Sequence, residues 1–306
     1  MDKDRFSERM LRHLFEGIKV LRNARMSEYT TLKLGGPADW LAFPANRDEI
    51  VRLISEAKQA DLPVTVIGHG SDLLVLDGGI RGLVIRIGKE MSRVRVEGKT
   101  VRAQAGAMLG TVAAAAAEAG LTGLEFASGI PGTVGGGVFM NAGAYGGEMA
   151  QVVTCVEGIR PDGTPFSFAG SEMHFGYRAS RVAEEALIVT DVTMTLREGN
   201  RDEIRAQMQE LNRRRNEKQP LNLPSAGSTF KRPEGYFAGA LIEQCGLKGY
   251  TIGGAQVSEK HAGFLVNLGT SAKEFMDLIR YVQKTVLDQT GVKLETEVRI
   301  IGEEET

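Results

Sequence analysis

The chain has almost no cysteine. Cys155 and Cys245 are the only two, far apart and outside any CxxC or CxH spacing, which excludes a disulfide scaffold and argues against a zinc site. By burial habit both are expected to be reduced core thiols. Charge of one sign is also lacking. The net charge is −2 and acids and bases are interspersed, so no global field favours nucleic acid or an anionic membrane, and any anion site must be local. No apolar run is long enough to span a bilayer. Near the N-terminus, Phe6, Met10, Leu14, Phe15 and Ile18 recur at helical spacing rather than as the unbroken apolar stretch of a signal peptide. A helical segment over residues 1–30 and a cytoplasmic location are therefore expected. There is no GxxxxGK[ST], no GxSxG and no internal repeat. None of the four histidines, His13, His69, His174 and His261, has a neighbouring pattern that marks it as a general base, and no metal is expected.

What remains is an ordinary globular composition, 42% hydrophobic and 25% charged over 306 residues, enough for two or three cores. Asn46 and Glu49 form a capping-box pattern ahead of Ile50, Leu53, Ile54 and Ala57, predicting a helix over 46–60. Strands are predicted at 64–67, 83–86, 101–105, 152–159, 164–168 and 187–196, with a helix over 109–119 closed by Gly120. Between them, residues 129–147 carry eight glycines and read as one long loop. A polar helix runs to about Lys218 and ends at Pro220 and Pro224. The last third predicts a helix over 238–245, a strand at 264–266 and a helix from Ser271 with Glu274 as its box partner. A final strand over 292–301 would point Glu295, Glu297 and Arg299 to one face.

Several segments have the chemistry of a ligand site. The glycines of Gly68-His69-Gly70-Ser71-Asp72 would let backbone N–H groups converge on a phosphate oxygen; alone, the pentapeptide fits a plain tight turn equally well. It fails the dinucleotide fingerprint, since position 73 is Leu and no amphipathic helix follows. Gly129-Ile130-Pro131-Gly132-Thr133-Val134-Gly135-Gly136-Gly137 is richer. So much lost chain entropy must be offset by something the loop binds or packs against, a pyrophosphate being one such partner, and the interleaved apolar residues argue against a linker. Asn141 and Tyr145 add polar contacts. Ser228, between Gly227 and Thr229, is either a turn or N-cap serine or a proton donor tuned by its neighbours. Lys218 ends a helix and by default is solvated there. Tyr177-Arg178 and His261 fit surface positions as well as ligand contacts.

Taken in order, these segments, with Lys218-Gln219-Pro220, residues 258–267 and Leu294-Glu295-Thr296-Glu297-Val298-Arg299, resemble the UDP-N-acetylenolpyruvoylglucosamine reductase family from about residue 34 to residue 302. The resemblance implies an α+β fold. A FAD-binding region of the vanillyl-alcohol-oxidase (PCMH) type, two α+β subdomains over 31–198, would precede a C-terminal α+β substrate domain over 199–306. It also implies noncovalent FAD, NADPH as reductant, and a ping-pong reduction of the enolpyruvyl double bond of a UDP sugar to UDP-N-acetylmuramate for peptidoglycan. By the same resemblance Ser228 is the proton donor, and Arg178 and Glu297 stabilise the enolic intermediate. FAD contacts fall to Gly68, His69, Gly70, Ser71, Asp72, Gly129, Ile130, Pro131, Gly132, Thr133, Gly135, Gly136, Asn141, Gly143 and Ala144. Substrate contacts fall to Tyr145, Tyr177, Lys218 and His261.

The chain departs from the family pattern in two places. Asp72 stands where Asn is usual, and Gly137 where Ala or Ser is frequent. No insertion between Leu196 and Lys218 can carry a tyrosine-bearing lid, which matches the shorter subtype. Two rivals are another FAD-dependent oxidase of the superfamily, with His69 as the only available covalent tether, and a nucleotide-sugar binding module without chemistry. The joint presence of Ser228, Arg178 and Glu297 argues against the second.

Overall fold

The computed structural model describes residues 17–305. Most of the expected N-terminal helix, residues 1–16, lies outside them, and Lys19–Arg25 is a strand rather than helix. Val20 and Ala24 are its buried residues, and it pairs with Pro37–Phe43. The described residues form two compact units, neither continuous in sequence: those up to 22, with 40–69 and 82–213, and 23–39, with 70–81 and those from 214 on.

In the first unit the helix Arg47–Gln59 starts as the capping pattern dictates. Asn46 Oδ1 accepts the Glu49 N–H at 3.0 Å, while the Glu49 carboxylate accepts the Ala45 N–H at 2.7 Å. Its buried face is Ile50, Leu53, Ile54 and Ala57. Val64–Ile67 runs parallel to Ile80–Arg86. A five-stranded antiparallel sheet follows in the order Pro165–Ala169, Val153–Ile159, Ile188–Thr195, Thr100–Gln104, Val94–Glu97. One of its faces buries Val101, Ala103, Val156, Val192 and Met194. The helix Leu109–Glu118 packs its small residues against the same core, and Gly120 turns out of it at φ +70°.

The glycine-rich stretch is not one long loop. Thr133 caps a short helix, Val134–Phe139, and Gly143–Ala144 and Gly147–Glu148 form a hairpin. The glycines are tolerated in the helix because the backbone approaches its neighbours closely: a Cβ on Gly135 would lie 2.9 Å from that of Ala105. The cysteines also depart from expectation. Both are free, but each is only half-buried.

The second unit holds a four-stranded sheet in the order Ser225–Ser228, Phe264–Asn267, Ala255–Val257, Thr251–Ile252, with the helix Ala272–Thr290 and its face of Phe275, Leu278, Ile279, Val282 and Val286 in the core. Gly291 ends this helix in the left-handed conformation. Ser271 caps it, but Glu274 does not complete the box. Its carboxylate accepts the Gly254 N–H at 2.7 Å instead, and the first-turn N–H groups of Ala272 and Lys273 donate to Asp77 at 2.8 and 2.9 Å.

The final strand is also shorter than predicted. Only Arg299–Ile301 is strand, parallel to Leu73–Val75, so Glu295, Glu297 and Arg299 do not share one strand face. The residues before it are drawn into irregular backbone bonds with the segment after Ser228, which interrupt the alternation. No helix among the described residues is long and apolar enough to cross a membrane.

Candidate active site

In the first unit the site residues are gathered by backbone, and side chains serve to hold that backbone. Gly68 lies against the cap of the glycine helix, where a Cβ would fall 2.4 Å from Thr133 Oγ1. Two expected ligand segments, residues 68–72 and 129–136, thus meet at Thr133. The Gly68 N–H has no hydrogen-bond partner among the described residues and is of the kind that a phosphate oxygen takes; the same holds of the Gly70 and Ser71 N–H groups, which belong to the second unit. Gly136 faces open space, its only neighbour being Thr133 Oγ1 at 3.5 Å from an added Cβ.

Asn141 is 1% exposed and sits at φ +42°, a left-handed conformation that Asn accepts more readily than most residues. Its amide nitrogen donates to the Gly176 carbonyl at 3.0 Å and its oxygen accepts the Ala150 N–H at 2.9 Å. The side chain is therefore committed to protein, and what it controls is the position of the loop. The Gly176 bond brings in the next expected residues. Gly176 and Ala179 close a tight turn by exchanging backbone bonds, with Tyr177 and Arg178 at its tip and Arg178 at φ +54°. The Ser180 hydroxyl donates to the Phe139 carbonyl at 2.8 Å and fastens the other side of the turn. Tyr145 occupies a similar place in the hairpin, at φ +53° beside Gly146 at +86°, the pair of positive φ values that a two-residue turn of this hand needs.

In the second unit the relation is reversed, and backbone bonds hold functional side chains. Ser228 pairs with Phe264 while Ser225 pairs with Val266, so one extra residue is bulged out. Gly227, at φ +77°, makes that bulge, a device that re-aims the following side chain. Buried Thr229 then acts as a hub. Its N–H donates to the Gly263 carbonyl at 2.9 Å, its hydroxyl accepts the Leu265 N–H at 3.2 Å, and its carbonyl accepts the Glu297 N–H at 2.8 Å. Ser228, Glu297 and the 261–264 turn are thereby assembled around one residue that sequence reasoning passed over.

His261 Nδ1 accepts the Gly263 N–H at 3.1 Å. A nitrogen that accepts carries no proton, so the neutral ring has its N–H on Nε2. Burial lowers the pKa of this ring, and the cations Lys248 and Lys218 add to the effect, opposed by a backbone hydrogen bond and Glu243. Lys218 is thus close enough for its charge to reach His261. The end of its helix is held by Lys260 Nζ, which donates to the Asn216 carbonyl at 2.5 Å.

Arg299 donates its backbone N–H to the Asp72 carbonyl at 3.1 Å. Burial lowers the Arg299 pKa and Asp72 opposes the shift, so the aspartate found where Asn is usual has a guanidinium to face.

Ser128 was not foreseen. Its hydroxyl is buried and has no partner among the described residues, immediately before Gly129-Ile130-Pro131-Gly132. The free N–H groups, the open Gly136 and this orphaned hydroxyl fit a large phosphate-bearing cofactor. The only signal in the sequence was its position at the head of the glycine run.

Comparison with known proteins agrees in kind. A profile for a FAD binding domain matches residues 38–169, and one for the C-terminal domain of UDP-N-acetylenolpyruvoylglucosamine reductase matches residues 219–301. The chain is 53% identical to the UDP-N-acetylenolpyruvoylglucosamine reductase of Pediococcus pentosaceus, over 95% of this chain and 97% of that protein. It is 48% identical to that of Caldanaerobacter subterraneus subsp. tengcongensis over 96% and 97%. Its fold is similar to the crystal structure of the Thermus caldophilus enzyme, with a TM-score of 0.81 and 39% identity over 92% of this chain and 99% of that one.

Proposed function

Given that the chain belongs to the UDP-N-acetylenolpyruvoylglucosamine reductase family, we propose that it reduces the enolpyruvyl double bond of UDP-N-acetylglucosamine enolpyruvate to give UDP-N-acetylmuramate, with FAD as cofactor and NADPH as reductant. FAD, when bound, supplies the two-electron chemistry that links NADPH oxidation to reduction of the double bond.

The chain's own residues do the rest. The N–H groups of Gly68, Gly70 and Ser71, the glycine helix and its flanking loop would bind the cofactor's phosphates, with the Asn141 side chain holding that loop in place. Arg178, presented by its strained turn, offsets the negative charge that grows on the substrate carboxylate as the double bond is reduced. Ser228 Oγ–H donates the proton to the carbon next to the carboxylate, forming the C–H bond as its O–H bond breaks. Glu297, anchored through its backbone to Thr229, stabilises the enolic intermediate together with Arg178. Lys218 and the neutral Nε2–H of His261 present a cation and a donor to the diphosphate.

The observation that carries this reading is the Thr229 hub, which assembles an acid-capable serine and a carboxylate in one unit beside a histidine held neutral. An anaerobic visible spectrum tests it. Flavin absorbance should bleach with NADPH and return when the enolpyruvyl UDP sugar is added. A protein unable to take up FAD would overturn the reading, and bleaching without recovery would remove the substrate from it.

A further inference from the structure

Phe237 is the most exposed of the described large apolar side chains, at 60%. Tyr145, Tyr177 and Tyr236 are also exposed, but each has a hydroxyl that water satisfies. A phenyl ring gains nothing from solvent. One face of the ring is already occupied, since Arg232 Cζ lies 4.0 Å from its centroid, a cation–π stack. The opposite face is left for a second planar group. The exposed Tyr250 and Tyr281 stack on each other at 4.5 Å and are less exposed, at 37% and 38%.

The ring is also held in place. The Tyr236 N–H donates to the Pro233 carbonyl at 3.1 Å, closing a turn with Gly235 at φ +75°, which is the conformation that the third position of a type II turn demands. The Phe237 carbonyl then accepts the Leu241 N–H at 3.1 Å and opens the helix Ala238–Gln244. Two residues on, Gly239 lies against His261, where a Cβ would be 3.2 Å from the ring Cε1. The helix that Phe237 opens thus packs against His261, which itself feels the charge of Lys218. An aromatic face backed by a guanidinium, at the head of a helix packed against a neutral N–H donor, matches a nucleoside diphosphate, base on the platform and phosphates on the charges.

We propose that Phe237 is the stacking platform for the uracil ring of the UDP-sugar substrate, with Arg232 as its backing; this rests on the functional reading above. The test is calorimetric titration of the FAD-loaded enzyme with UDP and, separately, with inorganic pyrophosphate, which has no base. Phe237→Ala should weaken UDP binding about tenfold or more and leave pyrophosphate binding unchanged, while Phe237→Tyr stays within about threefold of wild type. In turnover, Phe237→Ala should raise KM for the enolpyruvyl UDP sugar and leave kcat alone. Equal UDP affinity in Phe237→Ala and wild type overturns the proposal, as does an equal loss for pyrophosphate, which would mean a structural role. Weakened NADP binding with unchanged UDP binding also overturns it and gives the ring to the dinucleotide. A wild-type enzyme that binds neither UDP nor the UDP sugar would sink the functional reading, and this inference with it.

Discussion

The two units hold their candidate residues by opposite means. In the first, the side chains of Thr133, Asn141 and Ser180 are used up in holding backbone, so that glycine-rich loops and the Tyr177-Arg178 turn present N–H groups and tips. In the second, the backbone of Thr229, Gly263 and Glu297 is used up so that side chains are presented. The contrast follows from the chemistry asked of each. A long phosphate-bearing cofactor is gripped over many atoms by dipoles that need no side chain, and close approach requires glycine. Proton transfer needs one hydroxyl at one place, and a bulge supplies the aim.

If that division is right, substitutions in the two units should separate cleanly. The largest effect is expected from Ser228→Ala, which should slow reduction of the enolpyruvyl group by about 10²- to 10⁴-fold and leave flavin reduction by NADPH close to wild type. Stopped-flow absorbance of the two half-reactions measures both. An equal loss in both would break the division.

Next is Asn141→Ala, which strands the Ala150 N–H and takes from the Gly176 carbonyl one of its two donors, leaving it the Ala179 N–H. It should cost about 2–3 kcal/mol by denaturant titration and weaken FAD retention. Asn141→Asp keeps the acceptor for Ala150 and should fall between it and wild type.

A smaller and more diagnostic change is Gly136→Ala. With open space around it and a helical backbone, the substitution should stabilise the FAD-free protein by up to about 1 kcal/mol. If that open space is where cofactor lies, FAD affinity should fall at the same time. A gain in both would place the cofactor elsewhere.

The smallest expected effect is on pH dependence. The folded-state pKa of His261 is lowered, chiefly by burial, so the unfolded chain binds the extra proton first as pH falls. The stability this neutral ring contributes is full above the unfolded value of about 6.5 and is lost as pH drops through the folded value. His261→Gln should flatten that slope in thermal unfolding between pH 7 and pH 5.

Elements with one strong local signal were legible in the chain. The helix Arg47–Gln59 with its Asn46 cap, the buried stripe of Ala272–Thr290 and its Gly291 stop all follow from periodicity and capping. The errors share a cause. Glu274 looked like a box partner, but Gly254 offered its carboxylate a better donor. The stretch ending at Arg299 alternates like a strand, but its backbone partners lie around Thr229, and an irregular cross-link replaced the ladder. In the glycine run, contacts with Ala105 and the Thr133 cap outweighed low propensity, and a short helix formed.

By itself the sequence determined the family, the α+β character and the order of the chemical segments, because these rest on residue identity and local periodicity, which a linear chain states directly. Tertiary structure alone decided that Thr229 is a hub, that the Asn141 side chain ties its loop to Gly176 and Ala150, that Ser128 is without a partner among the described residues and that Arg299 faces Asp72. Each depends on hydrogen bonds or charges brought together from distant parts of the chain, and no local pattern encodes which donor a buried acceptor will meet.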